Sequence, residues 1–332
     1  MKKYLLPHEK TAYKANLHAH TNISDGELTP EQVKELYKSH GYSVVAYTDH
    51  DLLIPHGELS DESFLALPGF EAQFNESNRY PGIPNEKKCH LCFIGGETQP
   101  CWNEEYAYIG NAKKYRDLVA FDKETSPFVR EYTAESISAM INEARKKGFF
   151  ITYNHPAWSL ETYEQYMKYE GLHAIEVFNY GTEILGYQSL ASYAYDDILR
   201  KGDKIFAVAA DDNHNRPGAD DSFGGFVMIM AEKLDTDSVM QALFHGDFYA
   251  STGPAFHDLY IENNTLFVKC SDASSISLTT DGRIAKCIHS EDGEALKEAA
   301  FALDFDYRYF RITVKDFGGK YAFTNAYFKE DL

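Results

Sequence analysis

From about residue 15 to residue 230, short apolar runs alternate with stretches whose apolar positions recur at helical spacing. That is the layout of a parallel sheet with crossover helices. The runs predict strands at 15–18, 43–48, 64–74, 89–95, 149–154, 173–179, 204–210 and 225–230. Thr29-Pro30-Glu31-Gln32 reads as a capping box with proline at the first helical position, and the helix it opens should stop at Gly41. Thr133 should cap a helix ending near Gly148, with Arg145, Lys146 and Lys147 in a last turn where the helix dipole favours cations. Segments 186–202 and 237–246 have the same character. Seven or eight strands in this order suggest a distorted barrel of the β/α type, with a doubly wound open sheet as the second reading.

After Ser251-Thr252-Gly253-Pro254 the helical spacing disappears. Runs broken at Asn263-Asn264, Asp281-Gly282 and Gly318-Gly319 are hairpin signals. The expected organisation is an α/β unit over 1–255 and a small antiparallel β-sandwich over 256–332. A stretch rich in Pro, Gly, Tyr and charge, about 79–132, reads as an insertion that could serve as a lid or substrate-shaping wall.

Composition narrows the function. The formal charge of −19 argues against a groove for nucleic-acid backbone, which needs a basic face. Residues 1–10 contain no apolar stretch of a secretory signal, and no apolar run approaches a membrane span. A cytoplasmic protein is expected, with no nucleic-acid polymer or membrane as partner and an oligomeric state the sequence does not specify. Five cysteines, an odd number, suit a reducing compartment. Cys89-x-x-Cys92 lacks a second pair and reads as packing around His90 on a strand.

Polar clusters close many of the apolar runs. They are His18-Ala19-His20 followed by Asp25, Thr48-Asp49-His50, Gly69-Phe70-Glu71, Cys89-His90, Asn154-His155-Pro156 and Asp211-Asp212-Asn213-His214. Strand residues two apart share a face, so His18 and His20 should project together, as should Asp212 and His214. A set of imidazoles and carboxylates suits Zn, Mn or Fe as divalent ions. Six neutral histidines with Asp25, Glu71 and Asp212 bring a charge of −3, so three divalent ions would leave the centre positive. That polarity matches an anionic ester whose charge grows during attack. His8, His40, His56, His173, His245, His257 and His289 read as ordinary polar or surface residues.

These motifs resemble those of the polymerase and histidinol phosphatase (PHP) superfamily of metal-dependent phosphoesterases, across about residues 14–254. The resemblance implies a distorted (β/α)7 barrel with two or three metals. His18, His20, Glu71 and Asp212 would hold one; Glu71 would bridge to a second held by His90 and His155; Asp25, His50 and His214 would hold a third. Segments 242–254, 311–316 and 324–325 resemble a subgroup with a C-terminal β domain that includes carbaryl-hydrolase-like proteins. The arginine that nucleotide phosphatases of the family carry after His-Pro is absent from Asn154-His155-Pro156-Ala157-Trp158.

The leading expectation is a phosphoesterase hydrolysing a small phosphate mono- or diester with a metal-bridging hydroxide. Glu71, Asp212 and His214 would be catalytic, and Asn154, Trp158, Glu176, Asn179 and Arg216 substrate-binding. Alternatives are a metal-dependent carboxyl ester, carbamate or amide hydrolase, and a non-catalytic protein binding a glycan or a partner.

Overall fold

A computed structural model of the chain describes residues 2–77, 83–96, 98–99, 109–119 and 129–332. Of the insertion expected at 79–132, residues 79–82, 97, 100–108 and 120–128 lie outside the described residues. The first half runs β1 (Lys3–Tyr4), β2 (Thr11–Ala19), α1 (Pro30–Ser39), β3 (Val44–Tyr47), β4 (Leu65–Asn75), β5 (Lys88–Ile94), α2 (Ala112–Tyr115), α3 (Ala134–Lys146) and β6 (Phe150–Tyr153). It continues with α4 (Tyr163–Tyr166), β7 (Ala174–Asn179), α5 (Tyr180–Ile184), α6 (Ser192–Lys201), β8 (Phe206–Ala210), β9 (Phe226–Ala231), α7 (Thr236–His245) and β10 (Phe248–Ser251). The tail adds β11 (Phe256–Glu262), β12 (Thr265–Ala273), β13 (Ser275–Thr280), β14 (Ala285–His289), β15 (Leu296–Ala302), β16 (Tyr309–Lys315), β17 (Tyr321–Thr324) and β18 (Tyr327–Phe328).

Each expected strand and helix forms, and the caps work as read. Thr29 Oγ1 accepts from Gln32 N–H at 3.3 Å while Gln32 Oε1 accepts from Thr29 N–H at 2.9 Å. Thr133 Oγ1 accepts from Ser136 N–H at 3.2 Å. The helix expected over 186–202 begins only at Ser192. The one-turn helices α2, α4 and α5 escaped notice because a single turn is too short to show a period.

A 14-stranded sheet runs β14-β13-β16-β17-β10-β9-β2-β3-β4-β5-β6-β7-β8, with β18 paired to β16. It is not all parallel, as the sequence suggested. The β2–β3–β4 and β6–β7–β8 pairings are parallel, whereas β5 is antiparallel to both neighbours and β9 antiparallel to β2. The connection between β4 and β5, residues 76–87, is at the lower limit of what a parallel crossover needs.

The sheet curls until the exit of β8 meets β2: Asp212 N–H donates to His18 O at 3.0 Å and His20 N–H to Asn213 O at 3.0 Å. Among the described residues no strand ladder joins β8 to β2, so a closed barrel is not seen. Strands β3, β6 and β7 are buried at every position because the sheet is covered on both faces, which explains their unbroken apolar runs. Ile137, Ile141, Ile198, Leu199, Val239 and Leu243 of α3, α6 and α7 pack against them.

The tail alternates instead: β13 is buried at every second residue. Asn263 and Asn264 take φ of 50° and 59°, the two positive values a tight hairpin turn needs. β1, β11, β12 and β15 form a separate 4-stranded sheet. Leu259, Leu266 and Phe301 from this sheet share one apolar cluster with Ile276, Ile312 and Val314 of the large sheet. The remaining tail strands extend the large sheet through the β17–β10 pairing rather than standing apart from it.

Candidate metal centre

The donors collect at one mouth of the curled sheet, at and beyond the exits of β2, β3, β6 and β8, with Glu71 within β4 and His90 near the entry of antiparallel β5. His18 and His20 leave the end of β2 on one side. The loop that follows is held by Asp49, whose Oδ1 accepts from Thr21 N–H at 2.8 Å, Ser24 N–H at 3.0 Å and Ser24 Oγ–H at 2.7 Å. A Cβ on Gly26 would lie 2.7 Å from His20 O, so the loop that presents Asp25 needs glycine there. His50 follows β3 and bridges to Glu71 on β4. On β5, His90 lies opposite Gln73 and Cys92 opposite Glu71. His155 and Asp212, just beyond β6 and β8, adopt φ of 27° and 55°, unusual backbone for residues with a Cβ. Strain of this kind gathers at functional sites.

Glu71 sits at the centre, 1% exposed. Its Oε1 is 3.2 Å from His18 Nε2, 3.1 Å from His90 Nδ1 and 3.4 Å from His155 Nε2. Its Oε2 is 3.1 Å from His50 Nδ1 and 3.5 Å from His20 Nε2. Asp212 Oδ1 lies 3.2 Å from His18 Nε2 and 3.1 Å from His20 Nε2. Asp25 Oδ1 is 3.3 Å from His214 Nε2 and 3.8 Å from both His50 Nε2 and His20 Nδ1. Candidate ion-holding groups follow: His20, Asp25, His50 and His214; His18, His155 and Asp212; Glu71, His90 and His155; and His18, Glu71 and Cys92.

The hydrogen-bond arrangement argues that cations belong here. His18 Nδ1–H donates to Glu176 Oε1 at 2.7 Å, which leaves Nε2 with a lone pair. That lone pair faces two carboxylates and, at 3.0 Å, the Nε2 of His20. Acceptors facing acceptors in a buried site repel unless a positive charge lies between them. His214 Nδ1–H similarly donates to Asp212 O at 2.9 Å, turning a lone-pair Nε2 toward Asp25. His50 Nδ1 and His90 Nε2 are buried with no hydrogen-bond partner among the described residues.

Without ions, protons must do the same work. Burial opposes it, yet Asp212 and the other nearby carboxylates hold His18 well above the usual imidazole range. His214, likewise opposed by burial, is raised to about 9 chiefly by Asp25. Burial pushes His50 down to about 3, keeping it neutral. Burial would raise Glu71, but His90, His18 and His50 hold it well below the carboxylate range.

All nine expected donors converge. The expected substrate contacts divide. Asn154 Nδ2 donates to Glu71 Oε1 at 2.8 Å and to Cys92 Sγ at 3.1 Å. Glu176 Oε2 accepts from His155 N–H and from Asn179 Nδ2, each at 2.9 Å. Asn179 Oδ1 also accepts from Thr182 N–H, capping α5. These three are buried and orient donors instead of facing the cavity, because their polar atoms are already taken up. Trp158 and Arg216 do line a cavity of about 370 Å³ above the donors. Arg216 Nη2 pairs with Asp25 Oδ2 at 2.7 Å, so its charge is largely spent on a donor.

Sequence reasoning missed the division of labour within the clusters. Asp49 pins the loop after β2. Asp211 accepts from Tyr37 Oη–H, Phe223 N–H and Gly225 N–H, each at 2.8 Å, and so pins the chain into β9. An Asp-Asp pair at a strand exit, whose two side chains must diverge, was the available signal. The Cys89-x-x-Cys92 residues point to opposite faces of β5: Cys92 lies by His18 and Glu71, Cys89 on the side of Glu161 and Tyr169.

No family model matches the chain, and no curated protein matches it. Among the described residues no helix is long and apolar enough to cross a membrane. Among solved structures, the chain is similar to a two-domain protein from Bacteroides vulgatus described as containing a predicted PHP-like metal-dependent phosphoesterase. Identity is 14% over 94% of this chain and 92% of that one, at a TM-score of 0.46. It is similar to a candidate metal-dependent phosphoesterase from Bifidobacterium adolescentis, at 15% identity over 70% and 96% of the two chains and a TM-score of 0.40. It is also similar to an amidohydrolase from Chromobacterium violaceum with bound sulfate and no metal, at 14% identity over 60% and 87% and a TM-score of 0.39.

Proposed function

We propose that the protein is a metal-dependent hydrolase of the PHP type acting on a small phosphate mono- or diester, within a curled sheet read as a distorted (β/α)7 barrel over 1–255. Residues 256–332 are read as an accompanying β-sandwich. The observation that carries the proposal is Glu71: each of its oxygens is flanked by a different set of imidazoles, the geometry of a carboxylate shared between two cations. His18, His20, His90, His155 and Asp212 would complete those positions, with Asp25, His214 and His50 at a third, His50 also lying beside Glu71 Oε2. Divalent zinc, manganese or iron bound there would supply Lewis acidity, an activated water and compensation for charge developing on an anionic ester.

The chain's own residues do the preparatory work. Glu176 keeps the proton of His18 on Nδ1 so that Nε2 stays free for an ion. Asn154 fixes the Glu71 carboxylate plane. Asp49 and Asp211 hold the two loops that present Asp25 and His214. A polar group fixed in a dry site reorganises little during reaction, which is where such sites gain their advantage.

The test compares p-nitrophenyl phosphate, bis-p-nitrophenyl phosphate and p-nitrophenyl acetate on protein loaded in turn with Zn²⁺, Mn²⁺ and Fe²⁺. Faster turnover of a phosphate ester, abolished by Glu71→Ala, is expected. Turnover of the acetate alone would transfer the reading to carboxyl esters or amides.

A further inference from the structure

Beyond the donors, the cavity has two chemically different walls. β5 alternates, so Lys88, His90 and Cys92 share one face: the thiol is buried beside His18 and Glu71, the imidazole stands among the donors, and the Lys88 side chain lines the cavity. Lys88 lines the cavity half-buried, its Nζ 5.6 Å from the centroid of the Trp158 ring. That ring in turn packs against His90 and His155 at 5.1 Å and 5.0 Å. Among the described residues no carboxylate pairs with the Lys88 ammonium, in contrast to Arg216, which is tied to Asp25. Lys88 is therefore the cation in this cavity whose charge is still available.

One part of the remaining lining, beside Gln73, Thr182 and Asp221, is apolar. Ile184 and Leu185, at the end of α5, line the same cavity yet are 40% and 65% exposed. Their placement is not incidental to the site: α5 is capped by Asn179, whose Nδ2 holds Glu176, the partner of His18. Large apolar side chains left in water beside an anion-binding cation are covered favourably by a ligand carrying both characters.

We infer that Lys88 is a specificity-determining residue for an anionic ester whose organic part is apolar or aromatic. Lys88 engages a non-bridging phosphoryl oxygen, and Ile184, Leu185 and Trp158 cover the organic group. The inference rests on the phosphoesterase reading and narrows its substrate to aryl or similarly apolar phosphate monoesters over polar ones such as glycerol phosphate.

The test is equilibrium binding of phenyl phosphate, glycerol phosphate and inorganic phosphate to metal-replete protein, by calorimetry. Circular dichroism and metal content confirm that each variant is intact. Wild type should bind phenyl phosphate roughly tenfold tighter than glycerol phosphate, the scale of a few buried methylene equivalents. Lys88→Gln should weaken all three by roughly tenfold, the loss of one charge-assisted hydrogen bond, whereas Lys88→Arg should retain most of the affinity. Leu185→Ser, at an exposed position, should weaken phenyl phosphate several-fold and leave inorganic phosphate unchanged.

Equal binding by Lys88→Gln and wild type, or no preference for phenyl phosphate, overturns the inference even if turnover is robust. The expected binding pattern without turnover of any phosphate ester upholds Lys88 and the apolar wall as determinants of phosphate-ester binding but removes the phosphoesterase reading, the ester then being a ligand and not a substrate.

Discussion

Two regions of this molecule bury polar side chains, and they do so in opposite ways. Where the tail joins the large sheet, the buried polar atoms of Asn325 and Arg311 have partners of the complementary kind. Asn325 Oδ1 accepts from Ala207 N–H at 2.9 Å, and its Nδ2 donates to Gly246 O and Phe248 O, each at 3.0 Å. Arg311 grips both oxygens of Asp196 at 2.8 Å and reaches Thr313 Oγ1 at 3.0 Å. At the mouth formed by β2 to β8, buried acceptors face one another instead. The first arrangement is complete within the chain and stabilises it. The second brings together lone pairs that cations placed between them would reconcile. Counting buried polar residues would not separate the two; asking what each lone pair faces does.

The contrast is sharpest if Glu71→Gln is made. Removing the shared carboxylate should lower turnover by roughly 10³-fold or more, since several kcal/mol of charge stabilisation go with the ions it holds. Metal content per chain should fall with it, by elemental analysis. A protein that keeps both metal and turnover breaks the comparison.

The junction should behave in the opposite sense. Asp196→Ala strands the Arg311 guanidinium and should cost about 3 kcal/mol in urea unfolding, with metal content unchanged. Loss of metal without loss of stability would contradict the assignment.

Glu161 offers a second completed site with a pH signature. Its carboxylate accepts from Tyr132 Oη–H at 2.7 Å, from Tyr153 Oη–H at 2.6 Å and from Tyr169. Burial outweighs those bonds and raises it to about 7. Between the usual glutamate value and about 7, the folded state binds the proton that the unfolded state has lost. Stability should therefore fall as pH rises through this window, by about 3 kcal/mol. Glu161→Gln should flatten the slope; an unchanged profile would show that Glu161 is not its source.

The smallest effect is expected at Glu176. Glu176→Gln can leave the ring of His18 in the wrong tautomer and should weaken metal affinity roughly 10- to 100-fold, as outer partners of metal-bound imidazoles do. Competition with a chromogenic chelator reads this directly, and unaltered affinity would show that His18 is oriented without it.

Much of this was legible in the chain. Covered strands such as β3 and β6 show as unbroken apolar runs, and caps such as Thr29 and Thr133 act through bonds a few residues away. Tight turns such as Asn263-Asn264 are set by backbone preference. The six histidines and three carboxylates could be picked out because polar residues abruptly follow or interrupt apolar runs, at strand exits for most and within β4 and β5 for Glu71 and His90. What could not be read was direction across long separations. Whether β5 runs antiparallel to β4, and whether Asn154, Glu176 and Asn179 face a substrate or a neighbouring donor, depends on partners far away in sequence. So does the difference between Arg216, spent on Asp25, and Lys88, which is not.

The amino-acid sequence by itself determined the elements, their order and the donor types, because hydrophobic periodicity, capping and strand alternation are local. Only the tertiary structure decided which lone pairs meet, which carboxylates clamp loops, and which cation faces the cavity. Those outcomes depend on distances of a few ångströms between residues as much as 197 positions apart, as between Asn16 and Asn213, and no local rule carries that information.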